Sequence, residues 1–424
     1  MHELVFKNNT LRWACLDGKG RPKYPNKVGN RGRKPPKMMD EVKAGMVLFP
    51  KEIKAIESGE LYKMVLAHLK KYVDAPDLFQ RISTSYILLS WLYDRFRVMP
   101  ILRALGDFGT GKSRWLTVAG DLLYRRIRLS TASTFSPMFH LADRWQGSLV
   151  IDEGDLDWRN TQLETYLLTR YEKDNPFCRS DRNQPEKTEV FKAYGPTLLT
   201  TRERFRTRQA SALESRCLTQ VFDETEREDI PRNLPRDYDE ERDRILSHLL
   251  YFRLTNFNQD FGDPNTNLPL VKNQSKRLQQ IVLPMLAVFR NDPEVTRDIL
   301  TFVEQQQEAL YQQRQASDEG LVLIAYLDLI DEGNQEPAPH EIAERVNRDL
   351  PRYRKISPKG VGDKMEALNL KRGRVGKRRF VIYNPDRIKK LRKQYGLDRD
   401  DPQVVEGKPR AVSMNPETFA EAWS

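Results

Sequence analysis

Residues 106–113 carry the pattern G-x-x-x-x-G-K-S, whose residue types can hold a phosphate group. An apolar segment precedes this stretch and apolar residues at helical spacing follow it, which predicts a loop between a strand and a helix. Backbone N–H groups of such a loop point inward at the helix N-terminus, where the helix dipole also attracts anions. The loop consists of Gly106, Asp107, Phe108, Gly109, Thr110, Gly111, Lys112 and Ser113. Lys112 would reach the β- and γ-phosphates of ATP, and the Ser113 hydroxyl would bind Mg2+.

Two carboxylates follow an apolar run at residues 149–151. Ligands of open α/β sheets bind at the carboxyl ends of the strands, so both acids are expected at the same edge as the loop. Asp152 would hold Mg2+ through water, and Glu153 would act as the general base for the attacking water. Taken alone, an apolar run that ends in Asp-Glu is an ordinary strand terminus. The preceding phosphate loop favours the catalytic interpretation.

The apolar segment at residues 197–201 ends in two hydroxyls, Thr200 and Thr201. A polar side chain at this strand end would face the γ-phosphate and respond to hydrolysis. We select Thr201 for this role, with a one-residue register left open. The alternative is that two threonines simply suit a strand.

Two arginines are candidates for contact with the transferring phosphoryl group. Arg216 stands between a predicted helix and the last strand, where it would face away from its own nucleotide and complete the site of a neighbouring subunit. Arg277 begins a later helix, from which it would contact the nucleotide from above. The alternative for each is a solvated arginine.

Strand-like and helical segments alternate from residue 99 to 223, which predicts an α/β fold with helices on both faces of a parallel sheet. The predicted strands lie at residues 101–105, 127–131, 149–152, 197–201 and 217–222. Residues 239–315 are predicted to form helices broken by a polar loop at 256–267.

Composition excludes several classes of protein. The chain has 424 residues and only three, widely separated cysteines, which argues against a zinc site and a disulfide framework. The apolar runs are too short to cross a bilayer, and the first residues lack an apolar signal core. We therefore expect a cytoplasmic, nucleoid-associated protein with no membrane partner.

Positive charge is concentrated in two segments. Residues 355–393 contain 14 basic and 3 acidic residues, an excess equal to the +11 net charge of the whole chain. Residues 19–37 contain 8 basic and no acidic residues, with many glycines and prolines. The second segment is expected to be flexible, and a solubilising tail and a DNA-contacting arm remain equal alternatives for it.

The basic C-terminal region has the order of a winged helix-turn-helix, with three predicted helices followed by a hairpin around residues 371–383. Its third helix would enter the major groove of duplex DNA, and the hairpin would contact the backbone. The alternative is a winged helix that binds protein. The candidate DNA contacts are Lys359, Lys364, Arg374, Lys377, Arg378 and Arg379.

Residues 86–289 resemble the AAA+ ATPases, and most of all the helicase-like members of mobile elements, akin to MCM and superfamily 3 replicative helicases. The resemblance lies in the phosphate loop, the pair Asp152-Glu153, the strand end at Thr200-Thr201 and the step Ser215-Arg216. It implies a homo-oligomeric ring, usually a hexamer, with ATP between subunits. In those helicases a hairpin before the Thr201 strand projects a basic residue into the channel that holds single-stranded DNA. Residues 176–191 are predicted to form such a hairpin, with Arg179, Arg182 and Lys187 as candidates, or an ordinary surface hairpin.

The predicted fold is thus a P-loop AAA+ parallel-sheet ATPase core with helical N-terminal and lid segments and a C-terminal winged helix-turn-helix. The expected divisions are a flexible arm (1–39), a helical domain (40–97), the core (98–223), the lid (224–315), the winged helix (316–395) and a flexible tail (396–424). The leading hypothesis is an ATP-dependent DNA helicase or translocase in replication initiation of a plasmid, phage or other mobile element. A non-motor regulator that uses ATP as an assembly switch and a defence or signalling ATPase are the alternatives.

Overall fold

A computed structural model describes residues 1–128, 135–152, 161–180, 186–204, 210–224, 227–348, 350–376 and 378–397. The chain divides into two compact units, Met1–Val303 and Glu304–Ser424. The finer division into arm, domains, core and lid stays a prediction.

The described residues form strands in four separate sheets. These strands are β1 (Glu3–Lys7), β2 (Thr10–Leu16), β3 (Pro22–Lys23), β4 (Ile101–Leu105), β5 (Ile127–Arg128), β6 (Leu149–Ile151), β7 (Phe177–Ser180), β8 (Thr188–Phe191), β9 (Thr197–Thr201), β10 (Cys217–Val221), β11 (Arg372–Val375) and β12 (Arg378–Val381).

The α-helices of the described residues connect and cover these strands. They are α1 (Asp40–Lys43), α2 (Ser58–Tyr72), α3 (Asp77–Ser90), α4 (Lys112–Gly120), α5 (Phe135–Trp145), α6 (Thr161–Arg170), α7 (Ala210–Glu214), α8 (Tyr238–Asn256), α9 (Lys276–Val288), α10 (Pro293–Gln315), α11 (Asp318–Asp331), α12 (Pro339–Val346), α13 (Pro358–Ala367) and α14 (Pro385–Tyr395). Short 3-10 helices lie at Tyr93–Arg95, Pro264–Val271 and Arg352–Arg354. None of the described helices is long and apolar enough to cross a lipid bilayer.

The first unit is built on a five-stranded sheet in which every neighbouring pair is parallel. Its strand order is β10-β4-β9-β6-β5, so β4, the strand before the phosphate loop, has a neighbour on each side, and β9 lies between β4 and β6. The predicted parallel sheet is confirmed. Strands β6 and β10 each end one residue earlier than predicted, and β5 is described only as Ile127–Arg128.

Alternate residues of the central strands face two different apolar layers, as the two-residue period of a strand requires. Leu102, Ala104 and Leu198 belong to the layer that contains α2, α3, α4, α8 and α9. Ile101 and Leu199 belong to the opposite layer, with α5 and α6. The sheet is therefore covered by helices on both faces, as predicted.

The N-terminal residues are more ordered than the sequence led us to expect. Strands β1 and β2 form an antiparallel hairpin whose turn residues Asn8 and Asn9 have φ values of 50° and 56°, which suits a tight two-residue turn. Val5 and Ala14 are completely buried. Residues 3–16, which were expected to belong to a flexible arm, instead form this hairpin, because apolar side chains on both of its faces are buried in the core.

The second unit has its own core, formed by α11 to α14 and β12. Strands β11 and β12 pair as an antiparallel hairpin, as predicted for residues 371–383. Helix α14 was not predicted as a separate element. Its signals are standard ones: Asn384 caps its first turn by accepting the Arg387 N–H, Pro385 opens it, and Gly396 ends it with φ of 66°.

Candidate functional site

The phosphate loop joins β4 to α4 at the carboxyl edge of the sheet, where the sequence placed it. Gly109 and Gly111 have φ of 80° and 83°, values that favour glycine, and Gly111 is the N-cap of α4. A Cβ on Gly106 would lie 2.4 Å from the carbonyl oxygen of Phe222, so only glycine fits the first position. The loop therefore has the backbone that an anion site at a helix N-terminus requires.

Lys112 lies folded over the loop that precedes it. Its Nζ donates to the carbonyl oxygen of Gly106 at 2.6 Å and to that of Asp107, and only 8% of the residue is exposed. These carbonyl oxygens hold the ammonium group against the loop. Contact of Lys112 with the β- and γ-phosphates stays a prediction.

Asp152 connects the phosphate loop to the neighbouring strand. The Ser113 hydroxyl donates to its Oδ2 at 2.9 Å, and the Thr200 hydroxyl donates to its Oδ1 at 2.7 Å. The strand order explains this contact, because β9 lies between β4 and β6 and its end reaches both the loop and Asp152. Three oxygen-bearing side chains from separate elements therefore converge beside the loop.

This arrangement fits ATP and Mg2+. Mg2+ prefers hard oxygen ligands, and the hydroxyl of Ser113 and the carboxylate of Asp152 already lie within hydrogen-bond distance of each other. The loop offers backbone N–H groups and a lysine for the phosphates. Glu153, the predicted general base, lies outside the described residues.

Thr200 rather than Thr201 is directed at the site. Thr200 shares its strand face with Leu198, which packs in the layer that contains α4, and so points to the side of the phosphate loop. The side chain of Thr201 lies on the opposite face of β9, the same face as Leu199. Its side-chain oxygen is buried and has no hydrogen-bond partner among the described residues, while its carbonyl accepts the Gly106 N–H at 3.1 Å. Of the two registers left open for the sensor threonine, the geometry favours Thr200, because the two-residue period of a strand sends neighbouring side chains to opposite faces.

Arg202 also lies beside the loop, and the sequence interpretation missed it. Its guanidinium carbon is 3.9 Å from the ring centroid of Phe108, and its Nη2 is 3.6 Å from Oδ1 of Asp107. Phe108 itself is 73% exposed. The sequence feature that could have identified Arg202 was its position directly after the strand that ends in Thr200 and Thr201.

Arg216 lies at the opposite, amino edge of the sheet. Its carbonyl accepts the N–H of Ile101, the first residue of β4, and its Nη1 donates to the carbonyl of Ala212 at 2.6 Å. The guanidinium carbon lies 4.7 Å from the ring centroid of Tyr171. Burial and the nearby charge of Arg277 lower the pKa of Arg216. As expected, this side chain faces away from its own phosphate loop.

Arg277 is found next to Arg216 and not above the phosphate loop. Its Nη1 donates to the hydroxyl of Tyr171 at 2.8 Å and to Oε1 of Gln280 at 2.8 Å. The Tyr171 carbonyl accepts the Met99 N–H just before β4, which places the tyrosine at the amino edge. The expected contact of Arg277 with its own nucleotide from above does not match this position. Both arginines instead meet on one aromatic ring.

The predicted hairpin before β9 is present, because β7 and β8 pair antiparallel. Arg179 donates to Oε2 of Glu189 at 2.7 Å, and its guanidinium carbon lies 4.7 Å from the ring centroid of Phe139. Lys187 is exposed. Arg182 lies outside the described residues. Of the candidate cations, Arg179 is thus already engaged within the protein.

The candidate DNA-contacting residues of the second unit also differ in their exposure and in their ion pairs within the protein. Lys359 and three arginines of the hairpin are exposed: Arg374, Arg378 and Arg379. Lys364 differs from these residues because it already forms ion pairs: its Nζ lies 3.2 Å from carboxylate oxygens of both Asp318 and Glu319. Its expected role as a DNA contact conflicts with this position, because the two acids on α11 neutralise it. Lys377 lies outside the described residues.

Comparison with known proteins gives little further information. No protein-family model matches the chain, and no curated protein matches it. Among solved structures, the chain is similar to the C-terminal region of NrS-1 in its apo A form. One such structure has a TM-score of 0.40 and 14% identity, over 90% of this chain and 96% of that chain. A second has a TM-score of 0.37 and 14% identity, over 90% and 97%. Values this low carry no conclusion about function.

The geometry itself defines what the site is able to do. Backbone donors, a lysine, a hydroxyl and a carboxylate are gathered at one sheet edge, and two arginines are gathered at the other. The residues of the predicted phosphate site thus lie at the carboxyl edge of the sheet, and Arg216 and Arg277 lie at the amino edge.

Proposed function

We propose that the chain is an ATP-dependent DNA helicase or translocase that acts in replication initiation of a plasmid, phage or other mobile element. ATP would be hydrolysed at the subunit interfaces of a homo-oligomeric ring, with six subunits as the expected number. The observation that carries the ATPase proposal is the pair of hydrogen bonds from Ser113 and Thr200 to the two carboxylate oxygens of Asp152.

In this proposal the loop binds the phosphates of ATP through its backbone N–H groups. Lys112 exchanges the carbonyls of Gly106 and Asp107 for phosphate oxygens. Ser113 and Asp152 would hold Mg2+, which would neutralise charge on the phosphates when bound. Thr200 keeps Asp152 oriented by donating to the oxygen that Ser113 does not use.

Glu153 takes the proton of the water that attacks the γ-phosphorus, while the bond to the β–γ bridging oxygen breaks and ADP leaves. Arg216 of a neighbouring subunit stabilises the charge that develops on the transferring phosphoryl group. Its placement at the edge opposite the phosphate loop supports a role in trans. Arg277 lies close enough to Arg216 to share that interface.

DNA binding is proposed for two regions. The order α11, α12, α13 and the β11–β12 hairpin supports a winged helix-turn-helix that engages duplex DNA, with Lys359, Arg374, Arg378 and Arg379 toward the phosphates. The β7–β8 hairpin would face single-stranded DNA in the ring channel. Among the described cations of this hairpin, Lys187 forms no ion pair with another described residue.

The test is a forked-DNA unwinding assay run beside an ATP-hydrolysis assay, with the wild type and the Lys112→Ala variant. Lys63→Ala serves as the control, because Lys63 is an exposed lysine on α2. We expect the Lys112 variant to lose both activities and the control to keep both. ATP hydrolysis that ignores DNA, with no unwinding or translocation, would instead support a non-motor regulator that uses ATP as an assembly switch.

A further inference from the structure

The segment at residues 19–37 forms an exposed basic surface. All eight of its cations are exposed, and the segment contains no acidic residue. We call this set the N-terminal basic surface; it consists of Lys19, Arg21, Lys23, Lys27, Arg31, Arg33, Lys34 and Lys37.

Backbone contacts hold this surface against the N-terminal hairpin. Strand β3 pairs with the end of β2, which places Lys23 opposite Cys15. Further along, the indole N–H of Trp13 donates to the carbonyl of Arg33 at 3.1 Å. Val28 and Arg33 bridge to each other across a turn. The segment is therefore a folded loop, which differs from the flexible arm expected from its composition.

These contacts attach two parts of the segment to the same strand, at Trp13 and at Cys15 of β2. The exposed cations are therefore held on one folded surface. The screening length at physiological salt is about 8 Å, so an anion that lies along this surface is attracted by the cations nearest to it. A flexible chain of the same composition would pay more entropy to present them at once.

The acids at the borders of the surface already have partners. Asp17 bonds to Arg21 at 3.1 Å and lies 4.0 Å from Lys23. Beyond the surface, Asp40 lies 3.4 Å from Nζ of Lys43. The remaining cations form no ion pair with any described residue. They are Lys19, Lys27, Arg31, Arg33, Lys34 and Lys37.

We propose that the N-terminal basic surface binds the sugar-phosphate backbone of DNA. This inference rests on the proposed action on DNA, and it adds a contact region separate from the winged helix and the β7–β8 hairpin. A linear polyanion fits cations that are spread along a strand, since DNA carries one charge per about 3.4 Å of each strand. A membrane fits less well, because the large apolar side chain exposed here is Tyr24, whose hydroxyl accepts the Ile53 N–H at 3.0 Å.

The test compares two triple variants of the full chain that lose the same charge. In the surface variant, Lys27→Gln, Arg31→Gln and Lys34→Gln remove three cations that have no ion pair with a described residue. In the control variant, Lys63→Gln, Arg244→Gln and Lys272→Gln remove two lysines and one arginine that are exposed elsewhere in the first unit. Net charge changes equally, so a difference between the variants reports position.

The measurement is fluorescence anisotropy of a labelled DNA, in single-stranded and duplex form, titrated at several salt concentrations. We expect the surface variant to bind at least about tenfold more weakly near 0.1 M salt, with the salt slope reduced by up to about 2.7 for duplex DNA. The control variant should remain close to the wild type. A charge-keeping variant with Lys27→Arg, Arg31→Lys and Lys34→Arg should bind as the wild type does.

Each outcome has a separate meaning. Equal affinities of the surface variant and the wild type would overturn this inference and leave the proposed function intact. An equal loss in the two triple variants would show a net-charge effect and would also overturn it. If the wild type binds no DNA even at low salt, both the inference and the proposed action on DNA fail, while the ATPase proposal is decided by the Lys112→Ala assay.

Discussion

The Thr200 hydroxyl donates a 2.7 Å hydrogen bond to Asp152, across the boundary between strands β9 and β6. The same carboxylate accepts from Ser113 of the phosphate loop through its other oxygen. A change at the γ-phosphate that moves Ser113 would therefore reach the end of β9 through two hydrogen bonds. This link makes Thr200 a sensor candidate of the proposed ATPase.

Replacing Thr200 and Thr201 separately by valine tests that register. Thr200→Val removes a hydrogen bond to Asp152, and we expect ATP turnover to fall by at least about tenfold. Thr201→Val removes a buried hydroxyl that has no partner among the described residues, so turnover should stay near that of the wild type and thermal stability should hold or rise. Steady-state ATP hydrolysis and thermal melts give both readouts. The opposite ranking would restore Thr201 as the sensor.

Mixing of inactive variants tests whether Arg216 acts in trans. Arg216→Ala should bind ATP but lose about 10³-fold or more in turnover, as removal of an arginine finger does. Lys112→Ala keeps its arginine but lacks a working phosphate loop. In a head-to-tail ring formed from equal amounts of the two, about a quarter of the interfaces join an intact loop to an intact Arg216.

Turnover should therefore reappear in the mixture although each variant is inactive alone. The same experiment with Arg277→Ala in place of Arg216→Ala asks whether the second arginine at Tyr171 belongs to the same interface. A mixture that stays inactive, with mixed oligomers shown to form, would place Arg216 in cis and contradict the proposal.

The contact between α2 and α8 predicts a dependence of stability on pH. Glu241 accepts hydrogen bonds from His68 at 2.9 Å, Lys71 at 2.7 Å and Tyr72 at 2.9 Å. Partial burial alone would raise the pKa of Glu241, but the hydrogen bonds from these neighbours lower it to about 2 from 4.5. A lowered folded-state pKa stabilises the protein above the unfolded pKa, and this stability is lost as the pH falls from 4.5 toward about 2.

Glu241→Gln should reduce the free energy of unfolding at neutral pH by about 1–2 kcal/mol after allowance for solvent screening. It should also remove part of the pH dependence in that acidic window. Urea unfolding at several pH values measures both effects. Glu240→Gln is the control, since Glu240 is exposed on the same helix, and an equal effect of both variants would contradict the assignment.

Lys364 and Arg379 should differ in their contribution to DNA binding. Arg379 is exposed on β12, and Arg379→Gln should weaken duplex binding several-fold and lower the salt slope by about 1. Lys364→Gln should change affinity little, because Asp318 and Glu319 already hold that ammonium group. Anisotropy titrations across salt separate the two. An equal loss would mean that Lys364 leaves its carboxylates when DNA binds.

Local pattern was enough to predict the parts of this protein that depend on neighbours in the chain. The spacing of Gly106, Gly111 and Lys112 predicts a phosphate loop, and apolar runs that end in acids or hydroxyls predict the strands beside it. Those features are local because a strand, a turn and a helix start each depend on a few consecutive residues. The same holds for the C-terminal helices and hairpin. The N-terminal hairpin and α14 had local signals too, in Asn8-Asn9 and in the caps at Asn384 and Gly396.

Only the tertiary structure decided which side chains meet. The choice of Thr200 over Thr201 depends on which face of β9 packs against α4, and a sequence does not state the direction of a strand's faces. The meeting of Arg216 and Arg277 on Tyr171 joins residues far apart in the chain. The neutralisation of Lys364 by α11 and the anchoring of residues 19–37 on β2 are also contacts between separate elements. Such contacts follow from packing, in which distant segments compete to bury the same surface. The sequence therefore indicated which residue types could act chemically, but it did not indicate which side chains they contact.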